Sequence, residues 1–277
     1  MKTFAERLQI RRGRTRLADW KPDSTPGCKD KDEAAERVAK NLARIDELQY
    51  RLHAEARQSL LIVLQGMDSS GKDGLIRNVL TIFNPQGCKV WPFKVPTPEE
   101  ASHDFLWRIQ RAAPPLGEVA VFNRSHYEDV LVVRVHDLVP RRVWSLRYRA
   151  INEFERNLHE HGTRVLKFFL HISRDEQRER LLARLHDPLK RWKFSDADLV
   201  ERGHWRDLST SVRGHHDPVR HRPCAVAHRP GRPKVVPRSR RLAGRRGHPG
   251  ADEPTHSEGE ARGSKAARSS GRMTAVL

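Results

Sequence analysis

The sequence predicts an α/β fold, a parallel sheet covered by helices on both faces. Two observations carry that expectation. Short apolar runs without alternation recur along the chain, separated by helix-period segments; this is the pattern of strands buried on both faces and of the helices that cross between them. One such run, Leu60–Leu64, leads through Gly66 into Gly71-Lys72 and a helical segment, the strand–loop–helix order of a phosphate-binding loop.

Residues 1–32 lack clear periodicity and read as an N-terminal extension. From Asp32 to Gln58, Ala35, Val38, Leu42, Ile45, Leu48 and Leu52 fall at three- and four-residue spacing and predict a long helix. A helix from Lys72 to about Phe83 follows the loop, then a strand over Lys89–Phe93. Pro98–Arg111 reads as a helix, with Pro in its first turn and Glu99 and Glu100 at its positive end. Val119–Phe122 is a buried strand, Arg141–Glu160 a helix, Val165–Ile172 a strand and Asp175–Leu185 a helix. After the polar stretch HDPLKRWKFSDADL, Ser195 is placed to cap a last helix running to Trp205.

Past Trp205 the composition changes. Residues 206–277 contain no Phe, Trp or Tyr, are rich in Arg, Pro, Gly, Ser and His, and keep no apolar period; they read as a disordered basic tail. The tail holds 16 Lys+Arg against 6 Asp+Glu, so more than half of the formal net charge of +18 sits in the last quarter of the 277 residues. A charge of that size usually points to a polyanionic partner. No run reaches the apolar length of a membrane span, and the charged start MKTFAERLQIRRGRTR has no apolar signal core, so a cytoplasmic protein without a membrane partner is expected. Cys28, Cys88 and Cys224 have no CxxC spacing and read as free thiols.

The loop itself, GMDSSGKDG, raises a question. A phosphate-binding loop ordinarily follows its Lys with Ser or Thr, whose hydroxyl sits on magnesium. Here Asp73 follows Lys72, and Asp68 lies inside the loop. Backbone N–H groups and a helix N-terminus favour phosphate oxygens, whereas carboxylates repel them unless a metal lies between. Asp68 therefore reads as a metal ligand or as a carboxylate that orients the attacking phosphate, the alternative being a simple helix cap. Asp73, in the first helical turn, is equally explained by the helix dipole or by indirect metal contact.

Four segments carry a family resemblance: LQGMDSSGKDGLIRNVL, NPQGCKVWPFKVPTPEEASHDFLWRI, VFNRSHYEDVLVVRVH and DPLKRWKFSDADLVER. Together, in this order, they resemble the family-2 polyphosphate kinases, dense from about Tyr50 to Trp205. The resemblance implies a P-loop kinase domain over residues 33–205, three-layered α/β/α, with a helical lid at about 186–198. It implies Mg2+ (or Mn2+) as cofactor, and inorganic polyphosphate and nucleoside mono- or diphosphates as partners. Homo-oligomers, dimers or tetramers, are a further expectation from it. Nucleic acid is not expected as a partner.

The resemblance also assigns residues. Gly66, Met67, Asp68, Ser69, Ser70, Gly71 and Lys72 match the family's Walker A loop, and Asn123 to Asp129 its Walker B-like segment. Many members carry Asp where this chain has Asn123, and Asn where it has Glu128; the swap resembles the subgroup that accepts both mono- and diphosphates. Asp68 and Glu128 are thus the expected metal carboxylates, with Lys72, Asn123 and Arg124 beside them in catalysis. Arg77, Lys94, Arg124 and Arg134 are candidates for a cationic track along a polyphosphate chain, and Lys190, Arg191 and Lys193 for a lid over the donor phosphates. Two other readings stand beside this one: an ATP-dependent nucleoside monophosphate kinase, and an inactive fragment that only binds polyanions.

The family normally continues beyond the lid with a Tyr-containing helix and a segment like APWYVVPADRKWFRDL. The codons permitted for residues 225–238, shifted one nucleotide forward, can read RWHIVPADRKWFR. The same shift after Trp205 permits GTYRRRYED. A frame change near Trp205 would account for the missing aromatics, and would strip the tail's charge of any meaning for nucleic-acid binding.

Overall fold

The computed structural model describes residues 17–24, 30–213 and 224–228, all in the compact unit Met1–Pro230. In chain order the elements are α1 Lys31–Glu55, β1 Ser59–Gly66, α2 Lys72–Val79, β2 Cys88–Pro92, α3 Pro98–Ser102, α4 Trp107–Arg111, β3 Val119–Asn123, α5 Glu128–Val135, α6 Arg141–Glu160, β4 Thr163–His171, α7 Arg174–His186, α8 Asp196–Gly203, α9 Trp205–Arg213 and β5 Cys224–His228. The strands form one parallel sheet in the order β2-β3-β1-β4-β5.

β1 is central because its run SLLIVLQG buries both faces. Leu61 and Val63 point into one core with Phe122, Ile109, Val130, Ile151, Phe154 and Phe169. Leu64 points the other way, into a core with Phe83, Val119 and Val121, against which Leu52, Ile76 and Leu80 pack. Alternation along a strand is what sends neighbouring residues to opposite faces. The result is three layers, with α1 and α2 over one face of the sheet and α4, α5 and α6 over the other. Each fully buried Leu, Ile or Phe contributes about 1.5–3 kcal/mol relative to exposure, so the two cores hold β1, and with it the loop at its C-terminal end.

The two ends of the loop between β1 and α2 depend on glycine. At Gly66 (φ +152°) a Cβ would lie 2.7 Å from both Leu170 O and Ser70 Oγ, which leaves no room for a side chain. Gly71 caps α2 in the left-handed region, φ +100°.

Several elements differ from the sequence expectation. Pro98–Arg111 is two short helices, because the Asp104 carboxylate takes the N–H of Leu106 at 2.9 Å and competes with the helical ladder. The helix after the loop turns 3-10 at Leu80–Ile82. Glu128–Val135, not anticipated as a helix, is one despite its valines, with Glu128 and Asp129 in its first turn and Val130 and Leu131 buried. Leu17, inside the span read as an extension, is buried in the larger core. Ser195 caps α8 in a capping box with Asp198, but the helix ends at Gly203 and a separate one, α9, follows.

The boundary drawn at Trp205 also moves. Residues 205–213 are helical, and Cys224–His228 pairs with Lys167–His171 as the fifth strand. That strand overlaps the stretch whose shifted reading contains WHI. The remainder of the basic tail lies outside the described residues. Among the described residues, no helix is long and apolar enough to cross a membrane.

Candidate active site

The loop between β1 and α2 lies at the C-terminal edge of the sheet, where β3 ends beside it; Arg124 N donates to Leu64 O at 3.0 Å. Ligands of open α/β sheets bind outside the carboxyl ends of the strands. Lys72 is buried with its Nζ curled onto the loop, donating to Gly66 O at 2.7 Å and Met67 O at 3.2 Å. Burial pushes its pKa below the ordinary lysine value, against the pull of Asp68, Glu128 and Asp73. The hydroxyls of Ser69 and Ser70 are buried without a hydrogen-bond partner among the described residues. Orphaned hydroxyls inside such a loop suit phosphate oxygens or a metal-bound water, the part played elsewhere by the residue that Asp73 replaces.

Asp68 and Glu128, expected as the metal carboxylates, are joined through an arginine. Arg124 Nη2 donates to Asp68 Oδ1 at 2.6 Å, and its Nη1 to Glu128 Oε2 at 3.4 Å. Arg124 adopts the left-handed conformation, φ +65°, at the sharp end of β3. With its amide oriented to satisfy both ends, Gln65 donates to Glu128 Oε1 at 2.9 Å and accepts from Ser125 Oγ at 2.9 Å. Burial raises the Glu128 pKa, opposed by the charges of Arg124 and Lys72. Asn123 Nδ2 donates to Asp73 Oδ1 at 3.1 Å, and Lys193 Nζ from the lid stands 3.6 Å from Asp73 Oδ2. Partial burial works against the ionised Asp73, yet the Asn123 hydrogen bond and the Lys193 charge hold its pKa below the usual value.

The stretch expected to form a lid, about 186–198, contains a 3-10 turn at Arg191–Lys193 between α7 and α8, and its three cations are not equivalent. Lys190 pairs with Asp187 of the same turn, and Arg191 Nε donates to Leu185 O at 3.2 Å. Only Lys193 reaches the loop helix. Trp192 stands exposed on the lid beside Lys193. Of the other expected cations, Arg77 and Lys94 are exposed. Arg134 lies at the far end of α5, its guanidinium over the Trp144 ring at 5.0 Å, and is not brought to the loop.

Sequence reasoning did not single out the side chains that hold this site from behind. Gln177 and Arg180 of α7 hydrogen-bond to loop carbonyls, and Arg202 of α8 hydrogen-bonds to Gln177. Arg108 Nη1 donates to Lys94 O at 2.8 Å. Under the Asn123–Glu128 turn, Lys167 of β4 contacts Glu155 Oε2 at 2.7 Å and Tyr127 Oη at 3.0 Å, while Tyr127 Oη donates to Glu155 Oε1 at 2.7 Å. Arg and Lys are abundant in this chain, and nothing in local spacing separates these from solvated ones. The one available signal was a lysine at the centre of the apolar strand VLKFFL.

The parallel α/β/α fold, with a glycine-bounded loop and a buried lysine at the C-terminal edge of its sheet, has the form of a phosphotransferase. Comparison narrows the class. Residues 28–217 match the family Polyphosphate kinase 2, which runs past Trp205 into α9. An AMP/ADP-polyphosphate phosphotransferase of Meiothermus ruber is 52% identical over 194 residues, covering 70% of this chain and 73% of that protein. An ADP-polyphosphate phosphotransferase of Rhodopseudomonas palustris is 44% identical over 220 residues, 75% of this chain and 76% of that protein. Among solved structures, polyphosphate kinase 2 from Arthrobacter aurescens superposes with a TM-score of 0.77 at 44% identity, covering 81% of this chain and 82% of that one. The chain belongs to the polyphosphate kinase 2 family, and it is an enzyme of phosphate transfer.

Proposed function

We propose that this chain transfers phosphate between inorganic polyphosphate and nucleoside mono- or diphosphates, with the Gly66–Lys72 loop as the phosphate seat. The observation that carries the reading is the bridge from Asp68 through Arg124 to Glu128, which joins that loop to the segment after β3. It sets a guanidinium, two carboxylates and a buried lysine around one point, an arrangement suited to spreading and screening phosphoryl charge.

The acceptor in such a reaction is a phosphate oxygen, already ionised, so no strong base is required. Catalysis is then positioning and electrostatics. Lys72 and Arg124 neutralise developing charge on the transferred group. The loop N–H groups and the Ser69 and Ser70 hydroxyls fix its oxygens. Asn123 and Lys193 hold Asp73, and so tie the lid to the loop helix.

The donor set also suits a divalent ion. No three His, Cys, Asp or Glu side chains among the described residues form a ready-made cation site. Magnesium, however, needs only one or two carboxylates, with phosphate oxygens and waters for the rest. Asp68 would hold it, with Glu128, whose two oxygens also meet Arg124 and Gln65, as the second carboxylate. Bound there, Mg2+ or Mn2+ would supply charge neutralisation for the phosphates.

The reading includes a cytoplasmic, homo-oligomeric protein. Its test is ATP formation from ADP with polyphosphate as the only phosphate donor. Transfer from polyphosphate supports it. Transfer from ATP to nucleoside monophosphates, with none from polyphosphate, would overturn it.

A further inference from the structure

We propose that Gln177 and Arg180 are positioning residues of the phosphate loop, and that Arg202 ties the segment after the lid to them. The proposal rests on the reading of that loop as the phosphate seat. Carbonyls of three successive loop residues are turned outward onto α7. Gln177 Nε2 donates to Asp68 O at 3.0 Å. Arg180 Nη1 donates to Ser69 O and to Ser70 O, each at 3.0 Å. Among the described residues no peptide is cis, so the N–H of each of these peptide units points opposite to its C=O. The N–H groups of Ser69, Ser70 and Gly71 therefore face away from α7, toward the loop interior. That of Ser70 closes a turn on Met67 O at 3.0 Å. Those of Ser69 and Gly71 would then be the donors offered to an anion.

The loop's own preferences do not enforce this arrangement. Ser69 sits at φ +63°, a region that a residue with a Cβ enters at a cost. Such conformations persist where the surroundings over-determine them. Here the surroundings are Gln177 and Arg180, which hold the peptides on both sides of Ser69.

Gln177 is itself fixed. It is 2% exposed. Its Oε1 accepts from Arg202 Nη1 at 3.0 Å, and the same Nη1 donates to Arg174 O at 2.8 Å. α7 leads into the lid and α8 leads out of it, so both stems of the lid meet at one side chain that touches the loop backbone. Displacement of either stem is transmitted to the Asp68 carbonyl. The lid and the loop are thus joined twice, through Lys193 and Asp73 at the front and through Gln177 behind.

The test uses the full chain with inorganic tripolyphosphate as the probe. Gln177→Met keeps length and burial but removes the donor. Arg180→Lys keeps the charge but lacks the guanidinium geometry that serves two carbonyls. Each variant is expected to weaken tripolyphosphate binding, measured by calorimetry, about fivefold or more, and to lower kcat/KM about tenfold, as misplacement of binding groups does. The rise in Tm that tripolyphosphate produces shrinks accordingly, while the ligand-free Tm of Arg180→Lys stays within a few degrees of the parent's. A merely structural role would lower the ligand-free Tm and leave the tripolyphosphate-induced rise at the parent value; that result overturns the proposal. If Gln177→Met does not fold, Arg180→Lys decides.

Lys72→Ala is measured alongside. If it binds and turns over like the parent, or if the parent itself does not bind tripolyphosphate, the loop is not the phosphate seat and both readings fail. If Lys72→Ala is inactive while the two α7 variants match the parent, the positioning role alone fails.

Discussion

The guanidinium of Arg124 lies between two carboxylates of different origin and donates to Asp68 Oδ1 at 2.6 Å. Asp68 belongs to the loop after β1, and Arg124 to the residue after β3, in the left-handed conformation. The contact joins the two strand ends that frame the site. Replacing Arg124 by Ala removes the charge shared by Asp68 and Glu128, and is expected to lower kcat about 10²–10³-fold, the range for loss of one preorganised electrostatic group. Arg124→Lys, a point charge without the fork, is expected to recover only part of that. Steady-state kinetics with polyphosphate and ADP checks both.

Lys72 gives a pH dependence with a definite sign. Burial lowers its pKa in the folded chain below 10.5, so the unfolded chain holds this proton more tightly. Between the lowered value and 10.5, raising the pH therefore favours the folded state as far as this group is concerned. Activity moves the other way, because the neutral amine cannot screen phosphate. The alkaline limb of the kcat/KM profile is expected to fall below the ordinary lysine range, and Lys72→Arg is expected to remove that limb.

The Glu155–Lys167 pair predicts an acid-sensitive core. Burial disfavours the Glu155 carboxylate, but the Lys167 charge and the His126 hydrogen bond outweigh it and bring its pKa to about 2 from 4.5. A carboxyl with a depressed folded pKa contributes stability that is present above pH 4.5 and lost as the pH falls toward 2. Glu155→Gln leaves Lys167 buried without its counter-charge and should cost about 3–5 kcal/mol in urea denaturation at neutral pH. Glu155→Leu combined with Lys167→Met should recover most of that loss, since a buried ion pair is often replaceable by apolar groups.

The lid lysines should separate in kinetics. Lys193 faces Asp73, whereas Lys190 pairs with Asp187 inside its own turn. Lys193→Ala is expected to lower kcat/KM for polyphosphate about tenfold or more, as loss of a charge positioned over phosphates would. Lys190→Ala should change it by less than about twofold, an exposed pair being worth little.

The C-terminal segment makes a prediction about the gene. If a frame change underlies it, the codons of residues 225–238 will read RWHIVPADRKWFR when shifted one nucleotide forward. Codons that forbid that reading overturn the idea. The family match to residue 217 puts the search window from codon 205 to that point and slightly beyond. The chain restored in frame should melt higher and turn over faster than the present one.

Much of the architecture was legible because it rests on periodicity. The apolar run Leu60–Leu64, bounded by Gly66, reads as a strand buried on both faces and lies within β1, and the Arg141–Glu160 helix has the bounds its pattern predicts. The loop was legible because its glycines answer a steric demand that a sequence shows directly: no Cβ fits at Gly66. The helix over EDVLVVRV was not anticipated, since its valines favour a strand locally while its place after a sharp turn, with two carboxylates at the N-terminus, makes a helix. Pro98–Arg111 misled through one aspartate that captures a backbone N–H.

By itself, then, the sequence determined the layers, the glycine-bounded turn after β1 and the family, all of which are carried by short segments of the chain. Only the tertiary structure decided which cations come near that loop. Lys193 and Lys190 lie three residues apart, yet one meets Asp73 and the other its own turn. Arg124 and Arg134 lie ten apart, yet one bridges the loop carboxylates and the other covers Trp144. Gln177, Arg180 and Arg202 reach the loop from more than 100 residues away or through one another. A charge near a phosphate site and a charge in water are the same residue in sequence; what separates them is a few ångströms of position, set by how α5 packs on the sheet and how α7 and α8 are tied to each other and to the loop.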